Sequence, residues 1–250
     1  MRATCSACAA RPSTSGSEAV RFSPPHVTPI RHASWPSHPA SPLRPARGWR
    51  LKAQPRKPGE ASFFFYDAHF KNDAVKILPG EYFVDSEDIL IMTTLGSCIA
   101  ACLWDRNAHI GGMNHFMLPD GAGNGLDSGR YGSYAMELLI NELLKRGATR
   151  ATLEAKVFGG GQVISGMSTM NVGERNTSFV LDYLKTERIP VVSKDVMDVY
   201  PRKVCFLPHC GKAMVKRLSP TNPEALAAQD RAAAQKVVPP ASGAGSVDLF

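Results

Sequence analysis

Apolar residues gather in short runs between residues 61 and 218, and only two stretches carry helical spacing. Ser62–Tyr66, Ala74–Leu78 and Asp88–Thr93 predict strands, the second closed by Pro79-Gly80. Ile99–Trp104 and a second run from Ile110 flank the tetrad Asp105-Arg106-Asn107-Ala108, which reads as a hairpin turn. Met136, Leu139, Ile140, Leu143 and Leu144 then recur on one face of a helix, with Glu137, Asn141, Glu142 and Lys145 outside it and Gly147 placed as its cap. The strand Ala151–Phe158 runs into Gly159-Gly-Gly161. Asn176 can N-cap a second helix through Val180, Tyr183 and Leu184, stopped before Pro190. Strands near Val191–Val192, Lys203–Phe206 and Ala213–Leu218 follow. The expectation is an α+β fold: mixed, mostly antiparallel sheets layered with two or three helices in a single domain.

The flanks differ in kind. Residues 1–60 hold ten of the 19 prolines, are rich in Ser and Ala, and show no periodicity, so they predict a disordered leader. Its Arg- and Ser-rich composition resembles a transit peptide, but an extension or an upstream start is the favoured reading. Asn222-Pro-Glu224 opens an Ala-rich helix to about Val238 within a tail, 219–250, that ends as flexible chain.

Charge follows the same division. The net +7 splits into +8 for residues 1–60, with ten basic and two acidic groups, and −1 for residues 61–250, with 19 and 20. The candidate domain at 61–218 gives no reason to expect nucleic-acid binding. No apolar stretch approaches the ~20 residues that span a membrane, so membrane insertion is not expected. The six cysteines make no disulfide framework, which fits a reducing cytoplasm.

Candidate chemistry centres on the hairpin. With Arg106 and Asn107 as a two-residue loop, paired numbers sum to 213, and Cys98 faces His115 with Cβ atoms roughly 4.5–5.5 Å apart. A slip of one residue would separate them onto opposite faces. A strand cysteine is most often a small buried hydrophobe, and Cys102 fits that description. Cys98 differs, because it follows Leu95-Gly96-Ser97 at the start of its strand, and His115 sits where its own strand ends before Pro119. The pair reads as nucleophile and base.

Other motifs have plainer readings. Gly159–Gly161 lacks the spacing and the Lys-Ser/Thr of a phosphate cradle, and marks a bulge or a close backbone approach. Cys5-x-x-Cys8 lacks a second pair at ligand spacing, and Cys205, His209 and Cys210 read as a strand end and turn, so no metal site is expected. In Asn171–Asn176 the asparagine reads as a cap, with Arg175 a weaker candidate for holding a loop or a partner.

Leu95-Gly-Ser-Cys98, Gly111-Gly-Met-Asn-His-Phe-Met-Leu-Pro119, Lys156-Val-Phe-Gly-Gly160 and Val172-Gly-Glu-Arg-Asn176 together resemble the CheD family, chemoreceptor glutamine deamidases of bacterial chemotaxis. The resemblance covers about 82–218. It implies Cys98 as nucleophile, His115 as base and an upstream threonine as third member. Thr93 and Thr94 are both available; Met92 occupies the position six before the cysteine that some relatives use, and Thr93, five before, is preferred. Backbone amides around Gly96, Ser97 and Cys98 are the implied oxyanion donors. Where many relatives carry a glycine pair before the Arg-Lys strand, this chain has Val199-Tyr-Pro-Arg202. The implied partners are methyl-accepting chemotaxis receptors, at their cytoplasmic helices, and a CheC-type phosphatase. No cofactor is implied. A glutamine presented on a long helix calls for a shallow, open cleft, with the glycine-rich segment 120–132 expected as a mobile loop facing substrate.

Overall fold

A computed structural model describes residues 57–118, 126–162 and 172–219, with 126–130 described by backbone alone. The leader through residue 56, the Cys5-Cys8 pair, the start of the glycine-rich segment and the Ala-rich stretch after Asn222 lie outside these residues.

Ten strands form two five-stranded sheets. The first has the order β1-β2-β4-β9-β10, from β1 (Phe63–Asp67), β2 (Asn72–Lys76), β4 (Leu90–Leu95), β9 (Arg202–Leu207) and β10 (Lys212–Arg217). The second has the order β3-β6-β5-β7-β8, from β3 (Tyr82–Asp85), β6 (Ile110–Asn114), β5 (Ile99–Asp105), β7 (Leu153–Gly159) and β8 (Val191–Val196). Among the described strands, β2–β4 and β7–β8 pair in parallel and the other pairs are antiparallel. Two α-helices, α1 (Leu126–Lys145) and α2 (Val172–Thr186), and a short 3-10 helix at Arg150–Thr152 complete the elements of the described residues. The fold is α+β, as the pattern of strands and helices predicts.

The alternation along β5 explains the layering. Ile99, Ala101 and Leu103 point to a core shared with Met136, Leu139, Ile140 and Leu143 of α1 and Val180 and Leu184 of α2. Ala100 and Cys102 point the other way, to Ile91, Leu95, Val204 and Phe206 of the first sheet. Helices, second sheet and first sheet therefore stack in that order, and β5 is buried on both faces. Such a strand reads as a continuous apolar run, and each large side chain it buries stabilises the fold by roughly 1.5–3 kcal/mol.

Four details depart from the sequence reading. The β5–β6 loop contains four residues, because Asp105 pairs with Ile110 and the paired numbers sum to 215. Asp105 sets this turn: its carboxylate accepts the amides of Asn107 and Ala108, and its carbonyl accepts that of His109, which adopts φ +53°. Helix α1 starts ten residues before Met136, so 126–132 is helical rather than loop. Gly132 belongs there because a Cβ would stand 2.4 Å from the Phe179 ring, so α1 and α2 meet closely at that point. Helix α2 already covers Val172, which places Asn176 inside it and not at its cap. Strand β3 pairs with β6 although no separate run announced it. Gly147, with φ +100°, follows α1 as expected.

Candidate active site

Cys98 and His115 lie one residue outside β5 and β6, where the ladder continues through a single bridge. Ile99 and Phe116 exchange both backbone hydrogen bonds at 2.9 Å. That register sets Cys98 opposite Met117, and their sulfur atoms stand 3.9 Å apart. His115 is thus the diagonal neighbour of Cys98 and not its direct partner. The shift of two residues preserves parity, so both side chains still point between the sheets, with Met113 and Met117. Diagonal neighbours lie within reach of a long or aromatic side chain.

Thr93 meets them from the opposite sheet. It lies between Ile91 and Leu95 on the inward face of β4, whereas Thr94 alternates to the other face. Its Oγ1 donates to the Ile77 carbonyl at 2.9 Å and stands 2.8 Å from Nδ1 of His115. A hydroxyl has one proton, and the carbonyl takes it, so Oγ1 must accept from the ring. This assigns the proton of neutral His115 to Nδ1 and makes Nε2 the basic nitrogen. The backbone of His115 is fixed on both sides, its carbonyl accepting from Gly80 N at 2.7 Å and its amide donating to Glu81 O at 2.9 Å.

The turn before Cys98 is held through three consecutive carbonyls. Gly161 N donates to Gly96 O at 2.8 Å, Asn176 Nδ2 to Ser97 O at 2.9 Å, and Gly160 N to Cys98 O at 2.8 Å. The glycine run is a close backbone approach, as the sequence suggests. A Cβ on Gly160, whose φ is +65°, would stand 2.1 Å from Thr177 Oγ1, and one on Gly173 would stand 2.3 Å from Gly160 O. Asn176 also accepts the Leu118 amide at 3.0 Å. Its position in the Val172–Asn176 block was visible in the sequence, but its reach to both Ser97 and Leu118 was not.

The pair is enclosed, which corrects the expectation of a shallow, open cleft. Cys98 is 0 % exposed and His115 2 %. Only Ser97, half-buried, brings the turn toward the surface. Tyr131 of α1 belongs to this region and had no sequence signal. Its hydroxyl would stand 3.5 Å from a Cβ on Gly80. Burial first, and then the charge of a Cys98 thiolate, hold its phenol above the ordinary range.

The remaining candidates stay apart from the pair. Burial pushes the Cys102 thiol far up and that of Cys205 up to about 12, which leaves both as inert core groups. His209 and Cys210 occupy the turn between β9 and β10. Arg202, wholly buried, donates to Asp195 at 2.8 Å and to the carbonyls of Met197 and Tyr200. It thereby braces the loop whose Asp198 carbonyl receives the Gln162 amide, next to Gly161.

A family model described as CheD chemotactic sensory transduction matches residues 117–217. A protein named probable chemoreceptor glutamine deamidase CheD 1, from Albidiferax ferrireducens, is 65% identical over 202 residues, covering 80% of this chain and 86% of that protein. The chain belongs to the CheD family. Further CheD relatives carry the name probable chemoreceptor glutamine deamidase CheD. One from Thiobacillus denitrificans is 53% identical over 194 residues, covering 76% of this chain and 96% of its own length. Another, from Janthinobacterium sp., is 52% identical over 194 residues, covering 76% and 95%. The segment matched by the CheD model runs from Met117, beside the Cys98 sulfur, to Arg217 at the end of β10, and includes Gly159–Gly161 and Asn176.

Proposed function

We propose that this chain deamidates glutamine side chains on methyl-accepting chemotaxis receptors, using Cys98 as nucleophile and His115 as base. The observation that carries the reading is the hydrogen-bonded order Ile77 carbonyl, Thr93 hydroxyl, His115 Nδ1, on the same inward face as Cys98. His115 Nε2 takes the thiol proton, and an adjacent imidazolium stabilises the thiolate. The sulfur attacks the carboxamide carbon, and the oxyanion that forms is met by backbone N–H groups of the Gly96–Cys98 turn. In other enzymes the loss of one such donor costs about 2.7–4 kcal/mol of barrier. His115 returns its proton to the leaving nitrogen, ammonia departs, and a thioester remains. Water, deprotonated by His115, then hydrolyses it to glutamate and restores the thiol.

Thr93 acts as the third member by orienting the imidazole. Each conversion puts a carboxylate where a neutral amide stood, which changes the charge of the receptor helices and hence their signalling bias. Because that target is the receptor's cytoplasmic helical region, the reading places this chain in the cytoplasm. Among the described residues no helix is long and apolar enough to cross a membrane.

One observation favours a second reading. The full burial of Cys98 suits a binding module that holds receptors or a CheC-type phosphatase without chemistry. Mass spectrometry of a receptor cytoplasmic fragment separates the two. The deamidase reading expects amide-to-acid conversion with the wild-type chain and none with Cys98→Ala. Conversion by neither protein, with both still binding the fragment, would support the module.

A further inference from the structure

We propose that Asn176 is a positioning residue for the oxyanion site, acting through the Ser97–Cys98 peptide. The inference rests on the deamidase reading and assigns a part of it that the nucleophile, base and threonine leave open. In a trans peptide the carbonyl of one residue and the N–H of the next lie in one plane and point in opposite directions. Fixing a carbonyl therefore aims the following amide. Asn176 Nδ2 holds Ser97 O at 2.9 Å and so aims the Cys98 N–H; Gly161 N holds Gly96 O at 2.8 Å and so aims the Ser97 N–H. Each amide points away from its own bonded carbonyl, and both belong to the turn that leads into the nucleophile. The third carbonyl, Cys98 O, is held by Gly160, and the amide after it is the Ile99 N–H that bridges to Phe116. The anchoring thus passes without a gap from the turn into the ladder that carries His115.

Asn176 suits this task because it is fixed in turn. It is wholly buried on α2, and its Oδ1 accepts the Leu118 amide at 3.0 Å, three residues beyond His115. One side chain therefore ties the nucleophile's turn to the segment that follows the base. Amide donors aimed before substrate arrives need no reorganisation as charge develops on oxygen, whereas donors on a loose turn must be ordered during the reaction. A residue with this role lowers kcat when removed and leaves KM and the ionisation of the thiol nearly unchanged.

The test compares wild type, Asn176→Ala and Gly161→Ala as full-length chains acting on a receptor cytoplasmic fragment. Gly161→Ala perturbs the other anchor more gently, since its Cβ would stand 3.1 Å from Gly96 O. It stands in if Asn176→Ala fails to fold. The expected result is a fall in kcat of about ten- to a thousandfold for Asn176→Ala, with KM within about twofold and an unchanged pH profile of Cys98 alkylation by iodoacetamide. Residual dipolar couplings should show the Cys98 N–H vector turned in Asn176→Ala and the Ser97 vector turned in Gly161→Ala. Wild-type kcat in a folded variant, or a loss of rate that follows an altered alkylation profile, would overturn the inference. A wild-type chain that converts no glutamine, or a Cys98→Ala chain that does, would instead overturn the deamidase reading, and the dipolar couplings would still report on the anchors.

Discussion

The hydroxyl of Thr93 stands 2.8 Å from Nδ1 of His115 and gives its own proton to the Ile77 carbonyl, so a residue of one sheet fixes the tautomer of a residue on the other. Thr93→Val keeps the side-chain volume and removes the acceptor. We expect a loss of about ten- to a hundredfold in kcat, short of the ~10²–10⁴ that a general base itself contributes. The buried ring N–H without its acceptor should also destabilise the fold by roughly 1–3 kcal/mol. Thr93→Ser should recover most of the rate. Steady-state deamidation with urea unfolding on the same samples checks both effects, and a full-rate Thr93→Val would remove Thr93 from the machinery.

Replacing His115 with Gln removes the base and keeps a polar group at the site. Turnover should fall by about 10²–10⁴. Cys98 alkylation at neutral pH should slow at the same time, because the thiolate loses its imidazolium partner. Alkylation at the wild-type rate in His115→Gln would show that the ring does not act on the sulfur.

Much of this arrangement was legible from residues close together in the chain. The parity of Cys98 and His115 followed from the turn between them, and it survived a register two residues away from the one expected. The error came from the loop. Asp105 captures the amides of Asn107 and Ala108 with one oxygen and Thr149 N and Thr152 Oγ1 with the other, and no local pattern announces bonds spanning more than 40 residues. Asn176 escapes a local reading for the same reason: its type and place near a helix start fit a cap, yet its partners are 79 and 58 residues away. The choice between Thr93 and Thr94 needed the inward face of β4. The closure over Cys98 has no local signature either, because the shape of the substrate, and not any residue, argues for an open cleft.

Asp105 supplies a test of stability against pH. Burial raises its pKa, but hydrogen bonds from Thr152, Ala108, Thr149 and Asn107 outweigh burial and bring it to about 2. A carboxylate depressed in the folded state contributes its full stability above the unfolded value of ~3.9 and loses it as pH falls toward 2. The wild-type chain should therefore lose on the order of 2 kcal/mol more than Asp105→Asn across that window. Urea midpoints at pH 5 and pH 2.5 measure the difference; equal losses would contradict the assignment.

Arg202 and Asp195 form a buried ion pair beneath the Met197–Tyr200 loop. Arg202→Met should cost about 3–5 kcal/mol, because it leaves Asp195 buried with only the longer contact to Arg217 at 3.4 Å. Arg202→Met combined with Asp195→Leu should recover a large part of that. Chemical denaturation of the singles and the double gives the coupling, and additive losses would argue against a pair that acts as a unit.

Attack by sulfur on the receptor amide has a covalent signature. Turnover of a receptor fragment, quenched in acid and read by intact-mass and peptide mass spectrometry, should trap the fragment as a thioester on the peptide that carries Cys98, and the adduct should vanish in Cys98→Ala together with glutamate formation. Glutamate accumulating with no adduct, at a rate the Cys98→Ala chain matches, would contradict nucleophilic catalysis by this thiol.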